Sequence, residues 1–496
     1  MAWLVIAGIA LLFALAIWWY ASVPPDLPPG PRGLPLLGSA LQTWNAASLY
    51  KTLLQWAGEY GPVFTVYVGN KLVLVLADYQ AVQEALVKQG DVYSGRPVFH
   101  NIFADEIAGL GLVNSEGELW KTHRRFALST LRDFGFGRPI IEPRIADEAD
   151  HLIRAMSALQ DTPFDPALLL CNATSNVISS LVFGRRFEYE DEEYRALLRS
   201  LRARSTETYL SFMTPMVLSK NVAKLVSYLP QMNHLKTSNN EMVDFIKKQS
   251  QAVLANYKSQ VEEPTNYVQA FYKSQQENKD DWTFNDKQLV ASVGNLFEAG
   301  TDTTATTLRW ALFLLAHHPH VQDRVYEEIK RELAGQSTVP AYADRTRLPF
   351  TEATIMEIQR FADLIPTGVM RRTLAPGTLR GYHIPAGTVV VSLLTAVLND
   401  PRVYFDPATF DPTRFLPGKN DGRQAHAHLI PFMAGKRSCL GESLAKMELF
   451  VFFTALVTHL KFSFPSDEPK PPLEAVVALI RTPVPFKILA ERRVNG

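Results

Sequence analysis

The residues most able to do chemistry lie in one short run near the C-terminus. Residues 431–442 read Pro-Phe-Met-Ala-Gly-Lys-Arg-Ser-Cys-Leu-Gly-Glu, and SLAKMELFVFFTALVTHL follows as an amphipathic helical pattern. A thiolate just ahead of a helix start is stabilised by unpaired backbone N–H groups and by the positive end of the helix dipole. That is the placement of Cys439. Gly435 permits a turn there, and Gly441 permits close backbone approach. Arg437, two positions before the sulfur, is placed to pair with an anionic group on whatever the sulfur binds. A buried, inert thiol is the commonest fate of a free cysteine. It leaves Gly, Arg, Cys and Gly at these spacings without a reason.

Other segments could support such a centre. A long helical pattern runs from about Asn285 to His318 and is stopped by Pro319. At ~1.5 Å per residue it would be ~50 Å long, enough to cross a domain. It contains Ala299-Gly300-Thr301-Asp302-Thr303-Thr304, where a glycine and several back-bonding hydroxyls are expected to weaken the helix locally and open a groove. Glu357 and Arg360 stand at i, i+3 on one helix face. Glu192 with Arg195 and Glu328 with Arg331 share that spacing and are expected to be solvated pairs. The first pair differs in its apolar setting and in a later FDPTRF segment carrying Arg414.

Phe432-x-x-Gly435-x-Arg437-x-Cys439-x-Gly441 resembles the haem-ligand signature of the cytochrome P-450 haem-thiolate monooxygenases. The resemblance implies haem b with Cys439 as the axial iron ligand, a thiolate that favours O–O cleavage. It implies O2 as co-substrate, with Asp302 and Thr303 on a proton path and Ala299 over the haem. Trp120-Lys-Thr-His-Arg124 resembles the family's W-x-x-x-R segment. Arg124, Arg371 and Arg437 would then balance two propionates. Glu357, Arg360 and Arg414 match the family's structural triad. Finer details, such as SGRPVF and FGRRF, look most like the animal microsomal family-two members. The expected fold is mainly α with small β-sheets, in one large domain.

The resemblance also implies partners. No nucleotide or flavin motif is present, so electrons from NADPH would arrive through a separate NADPH–cytochrome P-450 reductase, with a small b-type cytochrome as an optional second donor. Arg125, Lys436 and Lys446 are candidates for a basic docking face, with an ordinary solvated face an equal reading. The substrate pocket is expected to include Ala299, Leu110, Val113, Ile365, Val369 and Leu479, mostly apolar, so a lipophilic fatty acid, steroid or foreign compound is the expected ligand. Glu298 stands where a small residue is common and is expected to alter polarity near the substrate. A haem-thiolate isomerase or dehydratase acting on peroxides would share the Cys439 loop. Such proteins often lack an acid–threonine pair, so Asp302-Thr303 favours the monooxygenase. A non-enzymatic haem sensor would be separated by the absence of turnover.

Composition frames these sites. The chain has 496 residues with 50 Lys+Arg against 50 Asp+Glu, which argues against general nucleic-acid binding. Two cysteines exclude a disulfide scaffold and a Cys-rich zinc module. Residues 1–20 are continuously apolar and end in Trp18, Trp19 and Tyr20, as a transmembrane anchor does. The Pro/Gly-rich stretch 21–38 cannot be helix and is expected to act as a stiff hinge, with residues 39–496 forming the catalytic domain. The expected location is the endoplasmic reticulum membrane, with the domain in the cytosol. Residues 212–226 are expected either to dip into lipid or to form a plain core helix. Residues 62–76 read as a hairpin about Gly69-Asn70, and residues 379–392 as a second short-strand region. Cys171 lies in an apolar helical run and reads as a core thiol, with Asn172-Ala-Thr174 beside it an unmodified sequon. His317, His318 and His320 read as solvated groups at a helix end.

Overall fold

The computed structural model describes residue 3 and residues 26–493, apart from 36, 44–45, 98–106, 161, 203–232, 335–338 and 419–421. The expected anchor, Trp3 apart, and residues 212–226 lie outside the described residues. Among the described residues, no helix is long and apolar enough to cross a membrane.

Helices used below are α1 Ala46–Tyr60, α2 Gly117–Asp133, α3 Glu142–Ser157, α4 Ala167–Val182, α5 Asn233–Leu254, α6 Tyr267–Glu277, α7 Asp286–His317, α8 Pro319–Glu332, α9 Pro349–Ala362 and α10 Glu442–His459. Strands are β1 Val63–Val68, β2 Lys71–Leu76, β3 Arg371–Arg372, β4 Gly377–Leu379, β5 Tyr382–Ile384, β6 Val389–Ser392, β7 Leu460–Ser463, β8 Ala475–Val477, β9 Arg481–Pro483 and β10 Leu489–Arg492. The fold is mainly helical with small sheets, as expected.

The hairpin forms in the expected register, Val63 opposite Leu76 and Val68 opposite Lys71. β6 then pairs parallel with β2, and β3 antiparallel with β6, giving the order β1-β2-β6-β3. This sheet matters because β3 carries Arg371. The described residues of the Pro/Gly run are not helix. From Asp26 on it is fastened to the domain: Thr65 N–H and hydroxyl donate to the Pro29 and Pro28 carbonyls at 2.8 Å, and Gly38 bridges Val68.

Asn285 caps α7 by accepting from the Gln288 N–H at 3.0 Å. Pro319 follows the last turn and opens α8. Between these signals α7 is a continuous α-helix, with no break in the helix at residues 299–304. The hydroxyls do back-bond: Thr301 to the Phe297 carbonyl at 2.6 Å, Thr303 to Ala299 at 2.7 Å and Thr307 to Thr303 at 2.9 Å. Each carbonyl has a second lone pair, so the added bond need not displace the helical one. Gly300 serves packing instead, since a Cβ there would meet Ile178 at 3.1 Å. The α4–α7 interface is the most extensive helix pair among the described residues.

Three further expectations are corrected. α10 is not amphipathic: every residue from Met447 to Val457 is buried, because α3, α7, α8 and α9 all pack on it. Glu328 is not a solvated partner of Arg331. Its carboxylate is buried and caps α9, accepting from the Phe350 and Thr351 N–H groups at 2.9 and 2.7 Å, while Arg331 pairs with Glu332. His317 and His318 are not solvated either. They pack on Phe313, Phe464 and Phe410, and burial first, then the Lys470 charge, lowers His317 to about 4. Glu192 with Arg195 is an exposed pair, as expected. Cys171 is buried in the main core, and Asn172 is 1% exposed, so that sequon is closed to any modifying enzyme.

Candidate functional site

The Cys439 loop is held by its own backbone. Cys439 N–H donates to the Phe432 carbonyl at 2.9 Å, and Ser438 N–H to the Gly435 carbonyl at 2.9 Å. Gly435 has φ +74, and a Cβ there would lie 1.8 Å from the Leu86 carbonyl oxygen. Only glycine fits that approach. Gly441 is less constrained, because its Cβ would reach Cys439 Sγ at an ordinary 3.7 Å. Cys439 is exposed at the loop surface. Burial of its surroundings pushes the thiol up, the Gly441 N–H pulls it down, Glu442 raises it and Arg124 lowers it. The helix start therefore helps the thiolate without producing it, and a cation at the sulfur would complete it.

Four arginines converge beside this loop. Arg437 donates from Nε to the Ser94 carbonyl at 2.9 Å and from Nη2 to the Ser115 carbonyl at 2.6 Å. Arg124 reaches the Ser438 carbonyl at 2.9 Å, and Arg371 the Ala434 carbonyl at 3.3 Å. Arg96 donates to the Val113 carbonyl at 2.9 Å, to Val369 at 3.1 Å and to the Met370 carbonyl. Nearly all of these partners are neutral, so the charges are poorly compensated. Burial first, then the neighbouring guanidiniums, brings Arg437 down to about 8, Arg371 to about 9 and Arg96 to about 10. Arg437 Nη1, Arg371 Nε and Trp120 Nε1 are buried without a hydrogen-bond partner. Such orphaned donors are costly and mark a place for acceptors. The arrangement is a buried cradle suited to an anion with several oxygens.

Arg96 was not singled out as a site residue in the sequence. The signal was present in SGRPVF, but an arginine after Ser-Gly carries no chemistry until the fold turns it inward. It also joins the 113 and 369 loops, so two of the expected pocket walls meet through its guanidinium. Leu110 is half-buried at the head of the first loop. That loop is clamped to α7: Gly111 N–H donates to Gln288 Oε1 at 3.0 Å, and Leu112 and Val113 N–H donate to Asn295 Oδ1 at 2.9 and 3.0 Å. Gln288 and Asn295 gave no sequence signal. Leu479 lies on the β8–β9 connection, and Arg481 N–H ties that connection to the Leu364 carbonyl beside Ile365 at 2.8 Å.

Asp302 and Thr303 separate. Thr303 is half-buried, whereas Asp302 is 8% exposed and lines a cavity with Cys171, Thr306 and Arg309 on another side of α7. Ala299 is exposed on the Thr303 side, one helical turn before it. Glu298 is half-buried and has polar interactions of its own.

Glu357, Arg360 and Arg414 come together as expected. Arg360 is fully buried and donates to both Glu357 oxygens at 2.7 and 2.8 Å. Arg414 donates to Glu357 Oε1 at 3.1 Å, and the Asp411 N–H to the same oxygen at 2.9 Å. The remaining guanidinium N–H groups bind carbonyls of Leu398, Pro407, Phe405 and Thr409. Lys446 pairs with Glu442 at 2.7 Å, Lys436 pairs with Asp91, and Arg125 is exposed. Among the described residues, no group of three His, Cys, Asp or Glu side chains is placed to hold a metal ion.

A family profile described as Cytochrome P450 matches residues 28–490. The chain is 40% identical over 463 residues to cytochrome P450 2C16 of Oryctolagus cuniculus, covering 92% of each chain. It is 39% identical over 468 residues to cytochrome P450 2A13 of Homo sapiens, covering 93% of this chain and 92% of that one. With cytochrome P450 2H2 of Gallus gallus it shares 36% over 488 residues, 96% of each. A thiol loop flanked by a cradle of buried arginines, on a helical fold matched over almost its whole length, places this chain in the cytochrome P450 family of haem-containing monooxygenases.

Proposed function

We propose that the protein is a membrane-anchored monooxygenase of the endoplasmic reticulum that acts on lipophilic organic molecules, with electrons from NADPH delivered by a separate flavoprotein reductase. One observation carries the site assignment: Arg96, Arg124, Arg371 and Arg437 converge beside Cys439 with three buried donors left unbonded. The two propionates of haem b would fill that need, and Cys439 would ligate the iron. When bound, the haem supplies O2 activation and the transfer of one oxygen atom to a C–H bond.

The chain's own residues do the rest. Arg437 and Arg371 would neutralise the propionates, and Trp120 Nε1 would be free to donate to one of them. Gly435 lets the loop pass under Leu86, setting the height of the sulfur. The Glu357–Arg360–Arg414 network holds residues 398–415, the approach to the Cys439 loop, and is structural rather than catalytic. Thr303 presents its hydroxyl on the Ala299 side, where it can hold a proton or water. Asp302, buried on another side of α7, would be the acid that resupplies that proton. Val113, Ile365, Val369 and Leu479 stand on the loops that would enclose an apolar substrate, with Leu110 heading the first. Lys436 and Lys446 already have acidic partners, so Arg125 is the docking candidate with the fewest competing contacts.

The carbon monoxide difference spectrum of the reduced protein tests this reading. The red-shifted Soret band of thiolate-ligated haem is expected in the native protein and lost in Cys439→Ser. Its absence from the native protein, or its persistence in the variant, overturns the assignment. Reductase-dependent NADPH oxidation coupled to an oxygenated lipophilic product tests the rest.

A further inference from the structure

A cavity of about 290 Å3 lies between α4, helical residues 192–202, α7 and β9. Its polar wall carries Arg199, Arg202 and Arg309, with Asp302 the carboxylate among the described lining residues, and Arg202 and Asp302 already have interaction partners of their own. Its apolar wall includes Ala167, Ala305 and Ile480. We propose that this cavity is a binding site for a small organic acid, separate from the haem pocket: the carboxylate is held by Arg199 and Arg309 and the apolar body lies against Ala167, Ala305 and Ile480.

The charge distribution favours an anion. Arg309 is 7% exposed, and its Nε has no hydrogen-bond partner. Its nearest acid, Asp165, stands 3.6 Å away, is half-exposed, and already accepts from the Ala167 N–H at 2.9 Å to open α4. Nη1 of Arg309 makes only a long 3.4 Å contact with the Pro483 carbonyl. At the other end, Arg199 is half-exposed and is paired at 3.1 Å with Glu192, a surface acid shared with Arg195. Both compensating acids are therefore partly screened by water, while the buried faces of the guanidiniums are not. A buried guanidinium with an unfilled donor gains most from a carboxylate, which matches its forked geometry. Asp302 repels the ligand from its own wall, which leaves the carboxylate toward Arg199 and Arg309. Arg199 gives the cavity a solvent-facing mouth, and Cys171, 3% exposed, lies at its buried end. A benzoate-sized acid fits this volume, and a bilayer lipid does not.

The test titrates 4-fluorobenzoate into the full-length holoenzyme and follows the 19F signal, with a saturating imidazole on the haem iron so that the substrate pocket is blocked. Saturable binding is expected, with 4-fluorobenzamide at least tenfold weaker because it lacks the charge. Arg309→Gln should weaken benzoate at least tenfold. In case that buried substitution compromises folding, two peripheral variants keep the test open. Arg199→Ala at the mouth should weaken benzoate several-fold, and Thr482→Phe should abolish binding by filling the cavity without changing charge. Equal binding of benzamide, loss of binding whenever imidazole is present, or undiminished benzoate binding in Arg199→Ala and Thr482→Phe would each overturn the proposal.

Discussion

The guanidinium carbon of Arg437 sits 3.8 Å from the ring centroid of Trp120, and each residue keeps one buried N–H unbonded. The stacking orients Arg437 while its Nε and Nη2 hold the Ser94 and Ser115 carbonyls. One guanidinium thus links the cysteine loop, the segment before α2 and α2 itself. The unbonded Nη1 and indole N–H are the donors that the proposed propionate contacts would fill. Arg437→Ala should weaken haem retention by roughly 10- to 100-fold, the loss of one or two charge-assisted hydrogen bonds. The rate of haem transfer to excess apomyoglobin measures it. Arg437→Lys should recover little, because an ammonium cannot hold two carbonyls and a carboxylate in a plane.

The Glu357–Arg360 pair predicts a large, localised stability effect. Both side chains are fully buried, and Arg360 makes further bonds to three carbonyls that α9 does not supply. Glu357→Ala leaves an unpaired guanidinium in the core, at a cost of about 3–5 kcal/mol. Glu192→Ala removes an exposed pair of the same spacing and should cost under about 1 kcal/mol. Chemical denaturation of the two variants, compared at equal haem content, checks the contrast.

Spacing alone made these two pairs identical, and the same spacing misread Glu328. What distinguishes Glu328 is the N-terminus of α9, whose N–H groups it caps from another helix. Tertiary partners of that kind leave no periodic trace. The cysteine loop, by contrast, was legible because glycine, arginine and cysteine act within ten residues, through local turns and a helix start. The hairpin and the limits of α7 were legible for the same reason, being set by Gly69-Asn70, Asn285 and Pro319. Arg96, Gln288 and Asn295 were not, since each acts on backbone groups far along the chain. The separation of Asp302 from Thr303 is likewise a matter of helix rotation, which a motif written as a string hides.

Glu448 on α10 predicts a pH effect on stability. It is 2% exposed, and burial, partly offset by a hydrogen bond with Thr304, raises its carboxyl to about 8. In the unfolded chain a glutamate titrates near its ordinary value of about 4.3. Between these limits the folded state holds a proton that the unfolded state has lost, so stability falls as pH rises through this window. Thermal unfolding from pH 5 to pH 8 should show this decline, and Glu448→Gln, neutral throughout, should flatten it. An unchanged slope in the variant would assign the pH dependence to other groups.

The two faces of α7 predict different lesions for neighbouring residues. Thr303 donates to the Ala299 carbonyl at 2.7 Å on the half-exposed side, so Thr303→Ala removes the hydroxyl proposed to hold a proton or water without touching the cavity beyond. Electrons should still arrive, but more of them should leave as hydrogen peroxide, and Thr303→Ser should restore coupling. Asp302 lies in the wall of the arginine-lined cavity, one position along but rotated by about 100° on a helix of ~3.6 residues per turn. Asp302→Asn should lower product formation by about 10- to 100-fold, within the range for a lost proton donor, and increase the solvent deuterium isotope effect. Peroxide yield and isotope effect, measured together on both variants, separate the roles. If the two substitutions gave the same pattern, the helix rotation would have no kinetic meaning, and Asp302 would be a structural partner of the cavity arginines alone.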